Sequence, residues 1–426
     1  MSAPSLFSSD ATERIEDDRF RPQRPTTIEE TGLSRGLLGD LLLKRLYVEG
    51  ATTLTRLSKD VKLDYSIIDT IYRWLLKEQL CESKGMHGED FEIGLTSRGV
   101  RMAEEAFRRN QYSGPSPVPL EAYRDGVRRQ AALPRVTRET LGRCLADLVV
   151  PETLTAELGT AMVSGGTVFL YGPTGNGKTS IAERLHHLYA DSVYIPYAVE
   201  VSGYVINVFD PVIHQALPDD EGHDLRWVRA ARPSVTVGGE LQADMLEPSI
   251  DDITRLYRAP LQMKANNGML IIDDFGRQKI PARDLLNRWI VPLDRRIDHL
   301  SLASGVTFEV PFEVTVVIAT NLDPKDLAEE AFMRRMRNKV KIDSISPATL
   351  RTIWDRVCAH SNLAVSAETA DYVVAECVRH ARGGMLRACF AVDLVRILMA
   401  VAAFEERNAE LTKADVDRAI RLYFAH

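Results

Sequence analysis

The sequence predicts an α/β fold: a parallel sheet wrapped by helices, followed by a helical C-terminal region and preceded by a small, mostly helical unit. Three observations predict it. Residues 172–179 read Gly-Pro-Thr-Gly-Asn-Gly-Lys-Thr, a phosphate-binding loop of the form G-x-x-x-x-G-K-T. The loop follows an apolar run, 167–171, and precedes a helix-like stretch, 181–190, which is the strand–loop–helix context it needs. Two further apolar runs, 269–272 and 315–319, end in Asp273-Asp274 and Asn321, with helical patterns between them, as repeated β-α units require.

The elements follow in order. Residues 1–32 are polar, carry Pro22 and Pro25, and are expected to form a flexible arm. Leu37, Leu38, Leu41, Leu42 and Leu46 then recur at helical steps, and a short helix follows at 54–59. A third helix, 64–80, places Ile67, Ile68, Ile71, Leu75 and Leu76 on one face. A strand-like run at 91–95 and a helix at 98–109 complete a unit, 33–110, that resembles a winged helix-turn-helix. Gly114, Pro115, Pro117 and Pro119 mark 111–135 as a stiff, extended linker. An α/β core is expected over 136–345, with helices in 136–163 and strand-like runs at 193–201, 204–209 and 234–237. The stretch 200–260 is long and reads as an insertion. The last region, 346–426, reads as four helices at about 347–361, 366–382, 385–407 and 412–424.

Composition narrows the class. The chain has 426 residues, 45% hydrophobic and 27% charged, which are ordinary values for a globular protein of two or three domains. Its net charge of −7 gives no global footprint for nucleic acid or anionic membrane. Five scattered cysteines include no C-x-x-C pair and read as reduced thiols. The longest apolar stretch, 392–404, carries Asp393 and Arg396 and is too short to cross a bilayer. With no basic, apolar leader at its start, a cytoplasmic location is expected.

The residue types explain the chemistry of the loop. Glycines let the backbone wrap a phosphate chain with N–H groups turned inward. Lys178 supplies a point charge, the hydroxyl of Thr179 can ligate Mg²⁺, and the following helix adds its positive end. Asp273 closes an apolar strand where ligands of open α/β sheets bind, and is suited to hold Mg²⁺ directly or through water. Asp274 would orient or activate an attacking water. The amide of Asn321 can hydrogen-bond that water and a terminal phosphate. Arg334, Arg335 and Arg337 offer permanent planar cations, and Arg387 stands where Gly383-Gly384 opens a helix, on its expected first turn.

This combination, in this order over about 136–426, resembles the AAA+ ATPases. The resemblance implies a P-loop NTPase with a three-layer αβα core and an all-helical lid. It implies that Gly172, Pro173, Thr174, Gly175, Asn176, Gly177, Lys178, Thr179 and Ser180 bind ATP, and that Thr179 and Asp273 hold Mg²⁺. Asp274 and Asn321 would serve hydrolysis, Arg334 or Arg337 would act on a neighbour's nucleotide, and Arg387 would reach back from the lid. Asp274 departs from the family, which usually carries Glu there; the shorter side chain puts turnover in question more than binding. An alternating run at 300–310, turning at Ser304-Gly305, resembles the hairpin inserted before the Asn-bearing strand in MoxR-type members, which act as chaperone-like remodellers. The implied partners are further copies of the chain in a ring, a hexamer being usual, and a protein client.

The helical N-terminal unit raises a DNA-associated alternative, a regulator or loader. Between Leu33 and Asn110 there are thirteen Lys/Arg and twelve Asp/Glu, and Asp64 and Asp69 open the helix that would enter a groove. Carboxylates there oppose phosphate approach, so protein docking is favoured.

Overall fold

The computed structural model describes residues 20–87, 90–218, 222–324, 334, 336–407 and 412–424. Its central sheet has five parallel strands: β1 Val168–Tyr171, β2 Ser234–Val237, β3 Met269–Ile272, β4 Thr315–Thr320 and β5 Asn338–Lys341, in spatial order β2-β3-β4-β1-β5. Every residue of β3 and β4 is buried, which is why these strands read as unbroken apolar runs rather than alternating ones. Alternate residues serve opposite faces. Val168, Leu170, Ile271, Val317 and Val340 pack with Leu141, Leu158 and Ile181 of the helices Arg138–Cys144, Glu152–Ser164 and Lys178–His186. Phe169, Val235, Leu270, Ile272 and Ile318 pack with Leu285, Leu286 and Trp289 on the other side. The expected α/β core with helices on both faces is what the chain forms.

The C-terminal region is helical: Pro347–His360, Ala367–His380, Cys389–Phe404 and Lys413–Tyr423 enclose Trp354, Cys358, Val373, Leu394 and Ile420. Three of these helices begin at a side-chain cap of their own, Ser346, Ser366 or Thr412. The helix Cys389–Phe404 does not.

At the other end, helices Arg35–Glu49, Leu54–Val61 and Tyr65–Lys77 precede a ribbon, Cys81–His87 against Asp90–Leu95, and the helix Ser97–Arg109. Thr52 and Thr53 add a short third strand to the ribbon. Residues 1–19 of the expected arm lie outside the described residues, but the part expected to be flexible up to residue 32 is tied down from Phe20 onward. Ile28–Thr31 forms a helical turn closed by a Thr27/Glu30 capping box, and Phe20 packs edge-on to Trp227 at 5.5 Å. Pro22 C=O accepts the Asp224 amide at 2.9 Å.

The linker expectation for 111–135 needs correction as well. Val118 and Pro119 pair with Val199 and Glu200, and Leu120–Arg129 is a helix. This pairing belongs to a second five-stranded sheet in the order 249–250, 257–258, 204–207, 198–201, 118–119. That sheet is the architecture of the insertion. Val199, Val201, Ile206 and Tyr257 share a core with Tyr123 and Val127 of the 120–129 helix and with Leu300, Phe308 and Val310. Ala198 and Val205, from the opposite face, join the core of the N-terminal unit. The expected hairpin is an antiparallel pair, Ile297–Ser301 with Thr307–Pro311, and Gly305 takes φ +85 at its turn. No helix among the described residues is long and apolar enough to cross a membrane.

Candidate functional site

The parallel registers bring three strand ends to one edge. Thr320 of β4 lies opposite Tyr171 of β1, and Ile272 of β3 opposite Ile318, so Gly172, Asp273 and Asn321 emerge side by side. The loop leaves β1 through Gly172 at φ +138 and passes Gly175 and Gly177, both at φ +82. These are backbone states that side-chain-bearing residues avoid. Gly172 also tolerates no side chain, because a Cβ there would lie 2.1 Å from the Ile342 carbonyl that follows β5. Gly177 then caps the helix Lys178–His186, aiming its first N–H groups into the loop.

Lys178 is buried, 7% exposed, and its Nζ donates to the carbonyls of Gly172 at 2.9 Å and Pro173 at 2.8 Å. The ammonium is thereby folded across the mouth of its own loop. Burial pulls its pKa below the ordinary lysine value, and the carboxylates of Asp273 and Asp274 oppose that fall. Thr179 Oγ1 donates to Asp273 Oδ2 at 2.8 Å, which joins the loop to the β3 terminus. A hydroxyl and a carboxylate so placed are hard oxygen donors suited to Mg²⁺. The set therefore fits the Mg²⁺-polyphosphate group that the motif implies. Thr174 is exposed at the crest of the loop, and Ser180 lies on the first turn of the helix.

Asp274 takes φ +48, a left-handed conformation at the strand exit. Asn321 Nδ2 donates to Asp274 Oδ1 at 3.0 Å, so two residues singled out separately in the sequence touch in space. A residue not singled out, Gln278, organises this turn. Its Nε2 donates to the carbonyls of Asp273 at 3.1 Å and Asp274 at 3.2 Å, while its Oε1 accepts from Gly276 N at 2.7 Å. Thr320 Oγ1 donates to Phe275 O at 2.7 Å, and the Phe275 amide donates to Ala319 O at 2.8 Å. These bonds hold the ends of β3 and β4 at fixed spacing.

The arginines divide. Arg334 and Arg337 are exposed and line a cleft of about 490 Å³ with Ser164, Gly165, Thr167 and Arg296. Residues 164–167 precede β1, so this cleft lies at the edge of the sheet opposite the phosphate loop. Arg335 lies outside the described residues. Arg387 does not occupy the first turn of a helix as expected: the chain turns through Gly383 and Gly384 at φ +65 and +72, and the helix begins at Cys389. Arg387 nonetheless reaches the loop. A Cβ on Gly175 would stand 3.4 Å from Arg387 Cδ and 2.6 Å from Cys389 Sγ.

Comparison with known proteins places these features as follows. A family profile described as "Domain of unknown function (DUF8689)" matches residues 346–422. No curated protein matches the chain. Among solved structures, the Thermotoga maritima RuvB Holliday junction branch migration motor is similar at 14% identity over 69% of this chain and 72% of that one, with a TM-score of 0.36. NtrX from Brucella abortus is similar at 14% identity over 64% of this chain and 55% of that one, with a TM-score of 0.42. Domain III of the Thermotoga maritima replication initiation protein DnaA is similar at 12% identity over 66% of this chain and 97% of that one, with a TM-score of 0.37.

Proposed function

We propose that this chain is an AAA+ ATPase that couples Mg²⁺-ATP binding and hydrolysis to remodelling of a protein partner. The observation that carries the reading is the Thr179–Asp273 hydrogen bond of 2.8 Å beneath a complete phosphate loop. It brings the two oxygen donors to one point, with Lys178 beside them. In this reading the loop amides and Lys178 grip the phosphates, and Thr179 and Asp273 hold the metal. Bound Mg²⁺ supplies charge neutralisation at the reacting phosphate. Asp274, fixed at one oxygen by Asn321, orients water and accepts its proton. Arg334 and Arg337, at the far edge from their own loop, suit contact with the site of a neighbouring copy, which a closed head-to-tail ring such as a hexamer would present. The hairpin Ile297–Ser301/Thr307–Pro311 immediately before β4 supports the MoxR-like, chaperone-type assignment.

Calorimetry with ATP and Mg²⁺ tests the premise: uptake by the native chain and its loss in Lys178→Ala are expected, and no uptake by either would end the proposal. Mixing Lys178→Ala with Arg334→Ala subunits tests the seam. Partial recovery of phosphate release is expected, because native loops then meet native arginines at some interfaces.

A second reading is a DNA-associated regulator or loader. The order of three helices and a ribbon in 35–95 favours it. Against it, Asp64 caps the helix Tyr65–Lys77 and pairs with Arg24 at 2.9 Å, and Arg73 pairs with Asp69 at 2.9 Å, so the charges along this helix are partly neutralised. Salt-dependent duplex binding that disappears in the Arg73→Glu/Lys77→Glu variant would move the assignment to this reading.

A further inference from the structure

The helix Cys389–Phe404 is sixteen residues long and has no side-chain cap of its own, unlike the other three helices of the C-terminal region. Its first N–H groups are nevertheless satisfied. Ala388 N donates to Asn176 Oδ1 at 3.1 Å, and Cys389 N donates to Gly175 O at 2.9 Å. The cap of this helix is therefore the phosphate loop itself, more than two hundred residues away in sequence. Asn176 is 6% exposed, and its Nδ2 has no hydrogen-bond partner among the described residues. An orphaned buried amide is unfavourable. An apolar side chain would avoid that penalty at this variable position of the motif, so the residue type is explained by its acceptor oxygen. Arg387 lies directly before the two bonded amides, and its Cβ and Cδ pack on Gly175.

We propose that Asn176 is a positioning residue: through the Ala388 amide it holds the C-terminal helical region on the phosphate loop and thereby sets the place of Arg387 beside the bound phosphates. The proposal rests on the ATPase reading for the role of Arg387, but the contact itself does not. Any change in the path of residues 175–176 on filling the loop is transmitted to the start of the 389–404 helix, because the residues whose backbone amides line the loop also carry the oxygens that accept its N–H groups.

The first test uses the full chain without nucleotide. Amide exchange read by mass spectrometry across 386–392 is expected to quicken about fivefold in Asn176→Ala, the size of losing one cap. Asn176→Asp, which keeps an acceptor oxygen in place, is expected to retain native protection there. Equal exchange in native and Asn176→Ala protein would overturn the contact. The second test is a double-mutant cycle on steady-state phosphate release with Asn176→Ala and Arg387→Ala. If Asn176 acts through Arg387, the double variant is no slower than Arg387→Ala alone. Losses that multiply would overturn the positioning role. Absence of ATP hydrolysis by the native chain would remove the ATPase reading and leave the exchange result standing, so the two failures are distinguishable.

Discussion

Gly175 offers a measurement of how closely the C-terminal region is seated on the loop. Replacing it with Ala meets two separate penalties. The backbone stands at φ +82, where a residue with a Cβ loses about 1–2 kcal/mol. The new Cβ would also lie 2.6 Å from Cys389 Sγ, an overlap that must be relieved by moving the thiol or the helix, at about 1–3 kcal/mol. The sum is about 2–5 kcal/mol by urea or guanidinium unfolding. The two parts can be separated, because Cys389→Ala removes the sulfur and leaves the backbone alone. In a double-mutant cycle, Gly175→Ala should cost about 1–2 kcal/mol in the Cys389→Ala background, with the difference of about 1–3 kcal/mol appearing as coupling. Zero coupling would mean that the thiol does not rest on the loop in solution, and the seating described above would be wrong.

Asp274→Asn should leave ATP uptake intact while slowing steady-state phosphate release by about 10²–10⁴, the range expected for losing a positioned base; unchanged release would show that Asp274 activates no water. His214 should make stability depend on pH. Its Nδ1 accepts the Asp210 amide at 2.9 Å and its Nε2 donates to Lys264 O at 2.8 Å, so the ring is neutral in the fold, and burial lowers its pKa from the ordinary 6.5. A group lowered in this way stabilises fully above its unfolded pKa and loses that contribution as pH falls below about 6.5. His186, lowered by burial in the same sense, adds to the trend, so the slope of unfolding free energy below pH 6.5 should shrink but persist in a His214→Phe variant. Arg226→Leu should cost about 3–5 kcal/mol, because Asp224, 2% exposed, would be left buried without its cation, and the carbonyls of Thr31 and Pro117 would lose their donor; a loss below about 1 kcal/mol would refute the burial.

The core was legible in the sequence because its signals are local. Four consecutive apolar residues at 269–272 mark a doubly covered strand whatever lies elsewhere, and the phosphate loop names its own flanking elements. Asp274 and Asn321 were each marked as the end of a buried strand; that they touch is set by the parallel register of β3 and β4, which the sequence alone does not show. The second sheet was not legible, because two of its strands are the two-residue segments 249–250 and 257–258, and a third, 118–119, sits in a run whose prolines suggested an open connector. Val118 pairs with Val199, and no periodicity over a short window reports a partner that far away. The strand Trp227–Ala231 was hidden for a related reason: Arg229 lies on it, and Arg226 and Arg232 flank it, giving a polar appearance. Arg226 and Arg232 are buried, satisfied by Asp224 and Asp191 together with main-chain carbonyls. The start of the 389–404 helix was misplaced by four residues, because its cap is supplied from the phosphate loop rather than by a neighbouring Ser or Thr.

The two appendages of the core are held by different physics, and that difference assigns the motion. The N-terminal unit shares apolar residues with the second sheet, whose other face shares a core with the hairpin before β4. Arg226 bonds Asp224, Thr31 O and Pro117 O, and Arg232 bonds Asp191, Gln130 O and Asn267 O, so buried charge locks that side further. Releasing it would strand charges and expose apolar faces together. The C-terminal helices keep a core of their own and meet the α/β body through hydrogen bonds, Arg356 to the carbonyls of Ala146 and Leu148 and the Ala388 and Cys389 amides to the loop, and through Arg387 and Cys389 against Gly175. Such bonds are exchanged for water at modest net loss, about 0.5–1.5 kcal/mol each. A domain motion linked to the phosphate loop is therefore expected to fall on the C-terminal helices from Pro347 onward, with the N-terminal unit carried as part of the body. Amide exchange across 198–207 that responded to ATP as strongly as exchange across 386–392 would contradict this division, since the first segment is sealed between two cores and the second takes partners for its Ala388 and Cys389 amides from the phosphate loop.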